Sequence, residues 1–137
     1  MAGAPDPLTP TRQDDAVAGG LSAASGLGRI AIGLGLALAP DLALRALGFG
    51  RPSPATVAVS RLAGGRDVVL GALTLAALGD RDRLRSANIA CAAVDAGDAL
   101  TFAVALGDDR TREASLRGLA AAVPAALGGA WLAWRLR

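Results

Sequence analysis

Four apolar stretches of membrane-spanning length, residues 16–39, 54–79, 86–107 and 114–134, follow one another along the chain with short links between them. About 20 helical residues cross a hydrocarbon core of roughly 30 Å, so each stretch is long enough. The links at 79–85 (GDRDRLR) and 107–113 (GDDRTRE) are short and heavily charged, which makes neighbouring helices antiparallel hairpins. A soluble bundle helix carries a wide polar face with a charge every few residues, whereas residues 68–79 carry none. The expected fold is all-α: a four-transmembrane-helix antiparallel bundle over residues 16–137, preceded by a disordered tail at 1–15.

Local signals mark the ends. Pro40 and Asp41 stop the first helix, and Ser53 with Pro54 starts the second, with proline at the first helical position. Pro124 falls in the middle of the fourth. The longer link at 40–53 carries Leu42, Leu44, Leu47 and Phe49 and reads as a short amphipathic segment at the membrane interface. The tail holds Pro5, Pro7, Pro10, Arg12, Asp14 and Asp15; lacking a basic start followed by an apolar run, it does not read as a signal peptide.

Composition agrees with lipid. The chain has two Phe, two Trp and no Tyr, although just over half its residues are apolar. Large aromatics bury the most area per residue in a soluble core, while Ala and Gly let helix backbones approach closely in lipid. All 14 basic residues are arginine. They form no basic stripe with interleaved aromatics, so nucleic acid is not an expected partner. Histidine is absent and Cys91 is the one cysteine, which excludes an internal disulfide and multi-Cys metal sites. No phosphate-cradle, nucleophile-elbow or zincin motif is present, and no cofactor or metal is expected.

The distinctive feature is charge at mid-bilayer depth. Arg29, Arg66, Asp67, Asp95 and Asp98 all lie near the centres of their stretches, so an antiparallel bundle brings them into one layer. Charges within spans face the bundle interior or a wet cavity and pair with one another. Helical spacing supports this: Asn88, Cys91, Asp95, Asp98 and Phe102 share a stripe, as do Ser60, Gly64, Asp67, Gly71 and Thr74, and Ser22, Ser25, Arg29 and Gly33. Three carboxylates against two guanidiniums leave one carboxylate short of a full partner, and the expectation falls on Asp98. Arg61 and Arg117 sit at similar depth nearer one end, where they form a basic mouth or simply snorkel to headgroups. Cys91 reads as a small apolar filler.

The layer has a cost. The second stretch holds nine Leu or Val residues, worth about −4 kcal/mol on insertion scales, against about +6 for Arg66 and Asp67. It is expected to enter as a hairpin with a neutralising neighbour. Arg12, Arg81, Arg83, Arg85, Arg135 and Arg137 fall on one side and Arg45, Arg51, Arg110 and Arg112 on the other. The bias places both termini in the cytoplasm of a bacterium, the chain being a multi-pass protein of its plasma (inner) membrane.

The run from Ser60 to Asp67 (SRLAGGRD), followed by Leu70 and Gly71, and the run from Val94 to Leu100 (VDAGDAL) resemble a family of small four-helix membrane proteins from GC-rich bacteria, catalogued as a domain of unknown function. The likeness covers the first three helices and extends toward the fourth. It implies a four-helix membrane fold with an Arg-Asp motif and an Asp pair, and no activity.

Two main functional readings remain open. In one, the layer is a structural lock in a small bundle that binds a partner helix or a lipid, with or without self-association. In the other, the chain is a small membrane enzyme, an isomerase, cyclase or oxygenase-like helper acting on a lipophilic substrate. Asp95 or Asp98 is then the acid or base and Arg29 or Arg66 holds developing negative charge. A proton- or ion-coupled transporter subunit is a third reading, and needs oligomerisation.

Overall fold

The computed structural model describes residues 12–137, with side chains from residue 16 onward. The described chain is all-α: α1 Arg12–Leu38, α2 Pro40–Ala46, α3 Pro54–Ala76, α4 Arg81–Ala105 and α5 Arg112–Arg135. Local chemistry sets most of the boundaries. Ser53 caps α3 by accepting from the Thr56 N–H, and Pro54 opens the helix. Asp80 caps α4 by accepting from the Arg83 N–H, so α4 begins inside the charged link, earlier than the expected residue 86. The expected tail is also shortened, since α1 reaches back to Arg12. The part of that expectation on residues 1–11 lies outside the described residues.

The link at 40–53 folds as the short helix α2 and a turn. Pro40 opens α2, and Gly48 closes it at φ +91°, a left-handed conformation that favours glycine. The Gly48 and Phe49 N–H groups donate back to the Arg45 and Leu44 carbonyls, the paired bonds of a Schellman ending. Pro40 and Leu44 are buried while Leu42 is exposed, an amphipathic arrangement as expected.

The helices pack chiefly as two antiparallel pairs, α1 with α3 and α4 with α5. In the first pair glycines meet across the interface. A Cβ on Gly64 would lie 2.5 Å from the Gly33 carbonyl oxygen, and one on Gly71 would lie 2.5 Å from that of Gly26. In the second pair Gly118 faces the Phe102 ring and Gly129 faces Ala92. The pairs join through polar contacts: Asn88 Nδ2 donates to Ser22 Oγ at 3.0 Å, and Thr74 Oγ1 lies 3.6 Å from Cys91 Sγ. Beside these lies a small apolar cluster of Ala18, Ala77, Leu84, Leu132 and Leu136, at the end of the molecule that holds the C-terminus.

Among the described residues the buried positions combine apolar residues, mostly Ala and Leu, with polar ones, while many large apolar side chains are exposed. The largest fully buried side chains are Thr74, Ser22 and Ser115. Leu27, Leu62, Leu73, Leu100, Val104 and Leu127 lie outside the cavity and are more than half exposed. Contiguous exposed apolar surface on this scale marks a membrane or partner interface. Three helices are long and apolar enough to cross a membrane, by length and composition: Ala16–Leu38, Arg81–Ala105 and Arg112–Arg135. The expected four spans are therefore supported only in this coarser form. α3 has the length, 23 residues, but carries Arg61, Arg66 and Asp67 within it.

Gly71→Ala should destabilise the fold by about 1–3 kcal/mol, because its methyl would meet backbone rather than a yielding side chain. Gly65→Ala, with nothing near its Cβ position, should be neutral or slightly stabilising. Thermal melts in detergent compare the two; equal melting would remove the close α1–α3 contact from the account.

Candidate functional site

The glycine contacts set the register that builds the charged layer. Arg29 lies three residues after Gly26 and four before Gly33, and Asp67 lies three after Gly64 and four before Gly71. With Gly26 against Gly71 and Gly33 against Gly64, antiparallel α1 and α3 bring Arg29 level with Asp67. Arg29 Nη1 donates to Asp67 Oδ1 at 3.4 Å and its Nη2 donates to Asp95 Oδ2. Arg66 makes a two-pronged contact with Asp98, Nη1 to Oδ1 at 2.9 Å and Nη2 to Oδ2 at 2.7 Å. The same Nη2 lies 3.3 Å from Asp67 Oδ1. The charges thus alternate in sign along one chain: Asp95, Arg29, Asp67, Arg66, Asp98.

All five expected layer residues are brought together, but the pairing differs from the expectation. Asp98 is not the carboxylate short of a partner; it holds the bidentate contact, the stronger arrangement. Asp67 is the shared one, between the two arginines at 3.4 and 3.3 Å. Exposure changes along the chain of charges. The side chains of Asp95, Arg29 and Asp67 are 9%, 11% and 13% exposed, and those of Asp98 and Arg66 are 34% and 37% exposed. Arg29 Nε is buried without an acceptor among the described residues.

The exposed end of the layer faces a cavity of about 770 Å³ bounded by all five helices. Its floor is the layer, its walls include Ile32, Val59, Ala63, Ala121 and Ala125, and Leu44, Leu47 and Phe49 line its far end. Arg29 and Leu36 both line it and are seven residues apart, about 10 Å along the helix axis. Volume and lining match those of small-molecule sites, mostly apolar with a few convergent polar groups. Toward the chain's C-terminus the molecule is closed by the Ser22–Asn88 bond, the Thr74–Cys91 contact and the apolar cluster. Cys91 is buried there with its Sγ against Thr74 Oγ1.

The expected basic mouth is not formed. Arg61 is exposed and does not line the cavity. Ser60 and Ala63 do line it, and one residue on from Ser60 the α-helix has turned about 100°, which carries Arg61 to the outer face. Arg117 is occupied elsewhere: Nη1 donates to the Ala46 carbonyl at 3.1 Å and Nη2 to Glu113, which ties α5 to the end of α2. The end of the cavity is instead apolar. It is lined by Leu44, Leu47 and Phe49, whose spacing in the sequence points to the membrane interface and carries no signal of a cavity.

No group of three or more His, Cys, Asp or Glu among the described residues is arranged to hold a metal ion. Fold and site together define an all-α protein with membrane-compatible helices and an apolar cavity floored by ion pairs. The chain belongs to the domain of unknown function DUF4267, whose family model matches residues 26–133, a stretch that includes all five charges. Comparison with curated proteins and with solved structures found no match.

Removing one buried partner leaves a charge unpaired, so Asp95→Leu should cost about 3–5 kcal/mol in detergent unfolding. The double variant Arg29→Met with Asp95→Leu should recover most of that loss, because Asp67 keeps Arg66. Additive losses would mean that the Arg29–Asp95 contact does not couple the two residues.

Proposed function

We propose that this is a multi-pass membrane protein in which α3 crosses together with α1, α4 and α5, and that its cavity binds a lipophilic small molecule with the polar group at the Arg66–Asp98 pair. One observation carries the reading: apolar walls and a partly exposed bidentate ion pair meet in a single cavity. An ion pair serving only as a structural lock gains nothing from such exposure.

Crossing by α3 is supported by its faces. Leu62, Val69 and Leu73 are exposed outside the cavity, while Arg66 and Asp67 turn inward to partners. Arg61 is within two turns of the helix start, close enough to snorkel. Trp131 and Trp134, with the Arg135 guanidinium 5.5 Å from the Trp131 ring, supply an interfacial anchor at the C-terminal end. The arginine counts favour both termini in the cytoplasm of a bacterial inner membrane. Single cysteines at Ser53 and Asp82, in a Cys91→Ala background, should label from opposite sides with an impermeant maleimide. Labelling of both from one side would leave α3 outside the membrane.

A second reading is favoured by the position of Asp98, the most exposed carboxylate of the layer and at the cavity floor. There it can act as acid or base toward a bound lipophilic substrate, with Arg66 beside it to hold negative charge. Ala63→Phe fills the cavity without touching the layer. Lipid extracts of the purified protein should lose a specific small molecule in this variant while melting stays close to wild type. An unchanged extract would count against the cavity as a binding site. Chemical conversion of that molecule by wild type but not by Asp98→Asn would select the enzymatic reading.

A further inference from the structure

The charge count of the cavity floor bears on what the cavity takes. Three carboxylates and two guanidiniums carry a formal charge of −1 when all are ionised, and among the described residues no other charged side chain lines the cavity. A net charge facing apolar walls is costly unless a proton or a counter-charge comes to it, and a cationic ligand supplies the second. The carboxylate shared between the two arginines is Asp67, but the one a ligand can reach is Asp98. Asp95 and Asp67 are nearly covered, and Asp98 is 34% exposed. Each Asp98 oxygen accepts one Arg66 nitrogen. A carboxylate offers about four acceptor sites, so Asp98 retains capacity on its exposed side.

We infer that the cavity selects a lipophilic amine, a single ammonium on an apolar body, with the ammonium donating to Asp98 and bringing the layer to three positive and three negative charges. This rests on the cavity being a ligand site and specifies the ligand's class. An anionic amphiphile such as a fatty acid would add to the surplus at the floor, and a neutral alcohol would use the walls without correcting it. Thr101, one turn beyond Asp98, also lines the cavity. A lysine there would supply the missing cation from the protein itself.

The full chain in phosphatidylcholine nanodiscs is tested by equilibrium dialysis with labelled dodecylamine, dodecanol and dodecanoate, subtracting protein-free nanodiscs. Dodecylamine should bind at least about tenfold more tightly than dodecanoate, with dodecanol between them. Asp98→Asn should bring dodecylamine to the level of dodecanol, and Asp98→Glu should keep the preference. Thr101→Lys should abolish the preference independently, so the test survives if Asp98→Asn does not fold. Dodecanoate binding as tightly as dodecylamine, or an amine preference that persists in folded Asp98→Asn, overturns the inference. Saturable dodecanol binding that is lost in Ala63→Phe, without an amine preference, also overturns it but leaves the cavity reading standing. Absence of saturable binding by all three probes overturns both.

Discussion

Arg29 divides its guanidinium between Asp95 and Asp67, and Arg66 reaches from Asp67 to Asp98. These contacts link α1, α3 and α4 at one level through five charges of alternating sign. In apolar surroundings an ionised group stays ionised only beside an opposite charge, so the arrangement of helices and the neutralisation of the layer are one problem. α3 cannot shift by a turn along α1 without separating Arg29 from Asp67. α4 cannot rotate away without leaving Arg29 and Arg66 to share Asp67 alone.

Close approach of backbones makes this possible. Gly26, Gly33, Gly64 and Gly71 remove the side chains that would hold α1 and α3 apart, and bring the helices near enough for the Arg29–Asp67 contact. The same economy of side chains leaves space where the two helix pairs face each other. On the side of the C-terminus, Ser22 with Asn88 and Thr74 with Cys91 close the gap. On the other side small residues such as Gly28, Ala63, Ala121 and Ala125 face one another and do not fill it. α2 lies across that end, its Leu44 and Phe49 brought together by the Schellman turn at Gly48 and both lining the cavity. Cavity and charged floor are thus neighbours by construction.

Much of this was legible beforehand. The helix stretches follow from apolar length and from Pro and Ser punctuation, and α4 starts early because Asp80 caps it from within a charged link. The five charges were assembled from depth and helical spacing alone. Depth does not say which carboxylate each arginine takes, and Asp98 proved better partnered than Asp67. Depth likewise grouped Arg61 with Arg117, although one faces outward and the other binds the Ala46 carbonyl. Azimuth about the helix axis relative to a particular neighbour separates such residues, and that is a property of the assembled structure.

The sequence by itself determined that the chain is helical, that its long apolar faces suit lipid, and that five charges share one level of an interior. Each of these depends on quantities that run along a single helix: length, period and the cost of charge in an apolar medium. The tertiary structure decided the alternating pairing from Asp95 to Asp98 and the existence of the cavity. Both depend on distances between helices, and those distances are set by how closely the glycine faces meet and where the small-residue faces leave a gap.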